Sequence, residues 1–147
     1  MTVSSAKGFI VGFLASAALL ALAGAALAGQ CGDGWDKITD DNRRFALENP
    51  VLQVRIADIG CAILYRGDQC GTDQVRFDES SVVHDYLTGE PVPFREAHFV
   101  AGSGVETPGG YGIVAFREEE SARRFVSERG EGAVLSHSDL LKVELAR

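Results

Sequence analysis

The sequence predicts an α+β chain made of two small units side by side, following an apolar N-terminal segment. One observation is a weak internal repeat. VRIADIGCAILYRG and YGIVAFREEESARRFVSERG share an order of strand, turn, helix and glycine stop. The other is the alternation of short β-rich runs with clear helical ones, each bounded by Gly, Pro or Asp.

From Gly8 to Gly29 the chain carries no charge, and Lys7 alone precedes this run. At about 1.5 Å per residue such a run is long enough to cross a bilayer as a helix. It reads equally as an export signal, because Ala26 and Ala28 form an A-x-A site followed directly by polar, acidic sequence. Residues 1–28 are therefore a signal peptide or a membrane anchor, and either places the rest of the chain outside the cytoplasm, periplasmic or otherwise. Cys31 also raises a lipoprotein signal, although Gln30 before it fits poorly with the small residue such a site wants. The net charge of −7 excludes a nucleic-acid partner, since the Arg residues are scattered among Asp and Glu.

Residues 29–50 are polar and read as a lead-in to a domain spanning 51–147, with subunits at about 51–75 and 80–145. VLQVRIADI has the β-branched content of a strand. Asp58 then caps a short helix that Gly67 ends. SVVHDYL reads as a strand with Val82, His84 and Tyr86 on one face. In PVPF the prolines donate no ladder hydrogen bond, so that segment is an edge or a loop. AHFVA and YGIVAF are strands flanking the loop GSGVETPGG. The clearest helix is EEESARRFVSER, with Ala122, Phe125 and Val126 as its apolar stripe, acidic residues in its first turn, and Glu119–Arg123 and Glu120–Arg124 at i,i+4. Gly130 stops it, and GAVLSHSDLL closes the chain with a short strand and a helical turn.

The glycines of TPGGYG lead into a strand rather than a helix, and no Gly-Lys-Ser/Thr follows, so they do not form a nucleotide cradle. Cys31, Cys61 and Cys70 would meet an oxidising compartment, where pairing is the default. A Cys61–Cys70 bridge is sterically possible, and the odd cysteine is then a lipid site, an intermolecular bridge or a soft-metal ligand. Cys61 reads alternatively as a buried small hydrophobe on the face of Ala62, Leu64 and Tyr65. His84, His98 and His137 form no H-x-H or H-E-x-x-H spacing. Cys61, His84 and Asp85 can be drawn as nucleophile, base and acid, but their spacing does not require it, and the chain does not read as an enzyme.

The blocks CGDG at Cys31, VRIADIGCAILY, VVHDYLTGE, EAHFV, TPGGYGIVAF and SARRFVSERGEGAVLSHSDL span about Cys31 to Leu141. In their order and spacing they resemble the NosL family, the exported accessory proteins of nitrous oxide reductase. The resemblance implies two ββα-type units and a role in carrying Cu(I) to a periplasmic copper enzyme, nitrous oxide reductase above all. It implies metal ligation by Cys31 and a metal loop at Thr107, Pro108, Gly109 and Gly110 that forms a flexible wall, and the softness of Cu(I) then makes one of the other cysteines, Cys61 or Cys70, or His84 the second ligand. Where the family usually has Cys-Gly-Met and Thr-Pro-Met-Gly, this chain has Asp33 and Gly109, and Met1 is its one methionine. The loss of both thioethers leaves a rival expectation: a metal-free NosL-like interaction module, a membrane-tethered subunit or assembly factor of a larger complex.

Overall fold

Runs such as Phe99–Ala101 and Val114–Phe116 are apolar at every position, the pattern of strands covered on both faces. A computed structural model of the chain describes residues 27–28, 31, 37–68 and 79–146. The signal-or-anchor segment lies outside the described residues apart from Leu27 and Ala28, as do Asp33 and Cys70. No helix among the described residues is long and apolar enough to cross a membrane.

The elements run β1 (Leu27–Ala28), a 3-10 turn at Arg43–Phe45, β2 (Leu47–Asn49), β3 (Val54–Ile56), α1 (Ile59–Asp68), β4 (Val82–His84) and β5 (Pro91–Pro93). There follow β6 (His98–Ala101), β7 (Val114–Phe116), α2 (Glu119–Arg129), β8 (Ala133–Leu135), α3 (His137–Leu140) and β9 (Leu145–Ala146). The fold is α+β. Four antiparallel strands order as β3-β2-β4-β5, three as β7-β6-β8, and β1 pairs in parallel with β9.

The suspected repeat is present in the topology. β2-β3-α1-β4 gives the order β3-β2-β4, and β6-β7-α2-β8 gives β7-β6-β8, so each half is a ββαβ unit. At a constant offset, Val54 corresponds to Val114, Ala62 to Ala122 and Tyr65 to Phe125. The boundary between halves differs from the expected 51–75 and 80–145. β4 and β5 complete the first sheet, and β2 comes from the stretch read as a lead-in, 29–50. β2 was hidden because Leu47 is its only large apolar residue; Glu48 between its neighbours is balanced by Arg55 at 3.0 Å and the His84 ring at 3.0 Å. The strand expected at SVVHDYL ends at His84, and Tyr86 lies in the following turn. Helix α1 continues through Gly67 to Asp68.

The three-stranded sheet separates two cores. Phe99, Ala101 and Ala115 face a larger core with Leu47, Ile56, Ile59, Val83 and Phe94, while Val100, Val114 and Phe116 face α2 through Ala122 and Phe125. Helix α2 has the expected apolar stripe, its Glu119–Arg123 ion pair, and Gly130 at φ 75° returning its N–H to Val126 at 2.8 Å. β5 lies at a sheet edge, as its prolines require.

The two sheets join at Asp85, which bridges in parallel to Ala115 while Tyr86 N–H donates to the Ala115 carbonyl at 2.8 Å. The Asp85 carboxylate is buried and accepts from the backbone N–H of Leu87 and Thr88 at 2.9 Å on one oxygen and of Arg117 at 2.8 Å on the other. Burial pushes its pKa up, but the N–H groups of Arg117, Thr88 and Leu87 outweigh that and hold it below the ordinary 3.8. Asp85→Asn, which turns an amide donor toward these N–H groups, should therefore cost about 1–3 kcal/mol in urea unfolding at neutral pH. Because the folded pKa is lowered, the wild-type advantage is full above 3.8 and is lost as pH falls through the folded value. An advantage that persists unchanged into stronger acid would contradict this role.

Candidate functional site

The four N-terminal amides of a helix need acceptors, and Asp58 supplies one to α1: its Oδ1 accepts from Cys61 N–H at 3.1 Å. Its other oxygen reaches across the molecule to accept from Gly109 N–H at 2.8 Å. Asp58 is only 2% exposed, so one desolvated carboxylate fixes both the start of α1 and the TPGGYG loop.

The loop is a turn braced from within. Gly110 N–H donates to the Thr107 carbonyl at 2.9 Å, Gly112 N–H to Thr107 Oγ1 at 3.2 Å, and Ser103 Oγ to the Gly112 carbonyl at 2.7 Å. Gly110 and Gly112 have φ of 75° and 60°, where only glycine is unstrained. Thr107, Gly109 and Tyr111 are buried while Pro108 and Gly110 are exposed. The expected flexible wall is thus a braced one. It lies flat on α1: a Cβ at Gly60 would fall 2.4 Å from Tyr111 Cγ, and one at Gly109 would fall 2.5 Å from Cys61 Sγ and 2.8 Å from Asp58 Cγ. Burial, and then the nearby Asp58 charge, raise the pKa of the Tyr111 phenol above its ordinary value.

At this seam Cys61 is disulfide-bonded to Cys31, with Cα atoms 5.5 Å apart. The Cys61–Cys70 bridge is thereby corrected: the Cys61 sulfur is already bonded to Cys31 and has no valence left for Cys70. In this state neither sulfur of the pair is a thiolate. Cys61 is also a core residue, 2% exposed and packed with Ala62, whereas Cys31 is exposed.

The histidines do not join this seam. His84 turns Nε2 to Glu48 at 3.0 Å and Nδ1 to the Gly89 carbonyl at 3.3 Å. His137 packs edge-on against Phe94 with centroids 4.7 Å apart, and His98 begins β6. Among the described residues no group of three or more His, Cys, Asp or Glu side chains could hold a metal ion. The expected ligand set Cys31, Cys61 and His84 is therefore not assembled, because His84 is committed to Glu48 and the cysteines to each other. Cys61, His84 and Asp85 form no nucleophile–base–acid chain either, since the Asp85 carboxylate serves backbone N–H groups.

Sequence reasoning found Asp58 as a cap and the glycine loop as a site, but not their hydrogen bond. It also missed Gly60 and Tyr111, the contact that seats the loop.

A family model, NosL, matches residues 69–145, more than half of the chain, and the chain belongs to the NosL family. This is a family of extracytoplasmic accessory proteins with a copper-related role rather than a known enzyme family. The TPGGYG loop lies inside the matched stretch, and Cys31, Asp58 and Cys61 lie before it. Searches of curated proteins and of solved structures returned no match.

Gly60→Ala should lower stability by about 1–3 kcal/mol, as its methyl displaces the Tyr111 ring and the loop with it. Chemical denaturation and the near-ultraviolet tyrosine signal measure this. Unchanged stability and an unchanged tyrosine signal would show that the loop does not rest on α1.

Proposed function

We propose that this protein carries Cu(I) to a periplasmic copper enzyme, nitrous oxide reductase in the fullest form of the reading, and holds the ion at the seam between α1 and the TPGGYG loop. The observation that supports it most is the position of Gly109. The residue standing where the family usually has a thioether lies against Cys61 Sγ, so the loop position expected to serve copper and a cysteine sulfur share one place.

Cu(I) is soft and accepts low coordination numbers, and two thiolates satisfy it without a thioether. Once reduced, Cys31 and Cys61 supply such a pair. Cys61 provides the fixed ligand, held by the first turn of α1, and exposed Cys31 provides the end at which a recipient exchanges its own ligand for the ion. Copper is cargo here, and the ion leaves with the recipient. The apolar N-terminal segment, if retained, would keep this exchange at the membrane surface.

The second reading, a metal-free interaction module, is favoured by the disulfide and by Asp33 and Gly109 standing in place of methionines. A Cu(I) competition titration of the reduced full-length chain against a chromogenic chelator separates the two. The expected result is stoichiometric binding that weakens by about tenfold or more in Cys31→Ser. Binding no stronger than that of free thiols would favour the interaction module.

A further inference from the structure

The two sulfurs of the disulfide differ in what can reach them. Cys61 is 2% exposed, with Gly109 so close to its sulfur that no Cβ fits between them, and the Asp58 carboxylate beside the same position. A thiolate approaching there meets backbone on one side and a negative charge on the other. Cys31 is an exposed residue at the outer end of the bond. Thiol–disulfide exchange depends on which sulfur can be attacked and on access to it, and exposed disulfides are the labile ones.

We propose that the Cys31–Cys61 disulfide is a redox gate on the seam, opened by an exported protein dithiol that attacks the sulfur of Cys31. The donor's thiolate forms a bond to Cys31 Sγ as the Cys31–Cys61 bond breaks, and Cys61 leaves with the electron pair and takes up a proton. The donor's second thiol, as thiolate, then attacks the mixed disulfide and releases Cys31, which is protonated in turn. The donor is oxidised to its disulfide, and the protein gains two electrons and two protons as two thiols. The gate's consequence rests on the copper reading: closed, the seam offers Cu(I) no thiolate, and open, it offers two.

The seam can open without coming apart, because the Asp58 bonds to Cys61 N–H and Gly109 N–H and the contact of Tyr111 on Gly60 are independent of the disulfide. Opening frees the Cys31 sulfur at the surface while the Cys61 sulfur stays under the loop.

The test uses the oxidised full-length chain in two arms. In the first, a thioredoxin-type dithiol protein whose second cysteine is serine is added under native conditions, remaining thiols are alkylated, and peptides are read by mass. The expected product has the donor on Cys31 and the alkyl group on Cys61. A donor found on Cys61, or exchange seen only in denaturant, overturns the gate. In the second arm, Cu(I) competition compares oxidised and reduced protein, with affinities expected to differ by about a hundredfold or more. Equal binding in both states overturns the gate and leaves the copper reading standing. Binding in neither state removes the copper reading and the gate's cargo, while the site of exchange is still decided by the first arm.

Discussion

Two buried carboxylates, Asp58 and Asp85, join the halves of this protein, and among the described residues neither has a cationic side chain as a hydrogen-bond partner. Each belongs to the first ββαβ unit and gives one oxygen to backbone N–H groups nearby and the other to the second unit: Asp58 to Gly109, Asp85 to Arg117. A carboxylate taken out of water is tolerated when N–H dipoles converge on it, and removing those donors would leave a desolvated charge. The repeat therefore does more than place two similar units side by side. Its halves are held in register by charges that only the assembled fold can satisfy.

The seam between α1 and the glycine loop is a by-product of that arrangement. Asp58 must cap α1, and the same carboxylate draws the glycine loop down until Gly109 rests on Cys61. Once loop and helix are this close, glycine is required at 60 and 109, and the side chain at 109 has no room. The soft atom at this place is the sulfur of Cys61 on the helix, tied up in the disulfide to Cys31.

Local features were legible in the sequence because their causes are local. Helix α2 announces itself through Ala122, Phe125, its acidic first turn and Gly130, and Asp58 through its place before an apolar run. The repeat was visible as an order of elements even though its partner strands were not. Strand β2 has only Leu47 to mark it, and pairings such as Leu47 with Val83 depend on residues far along the chain. Of the candidate site, the loop and the cysteines were legible as parts. Their meeting was not, because Asp58 and Gly109 are 51 residues apart and three cysteines admit three pairings that composition does not distinguish. His84 looked available as a ligand only because Glu48, its partner, sat in a segment that did not read as structure.

The account stands on Cys31 meeting Cys61 beneath the glycine loop. The most direct measurement is a disulfide map of the unreduced protein, made by alkylating free thiols, digesting without reductant and identifying linked peptides by mass. The account predicts a Cys31–Cys61 peptide pair with Cys70 alkylated. A Cys61–Cys70 pair with Cys31 alkylated would contradict it, leaving no gate over the seam and no second thiol to hold the ion there.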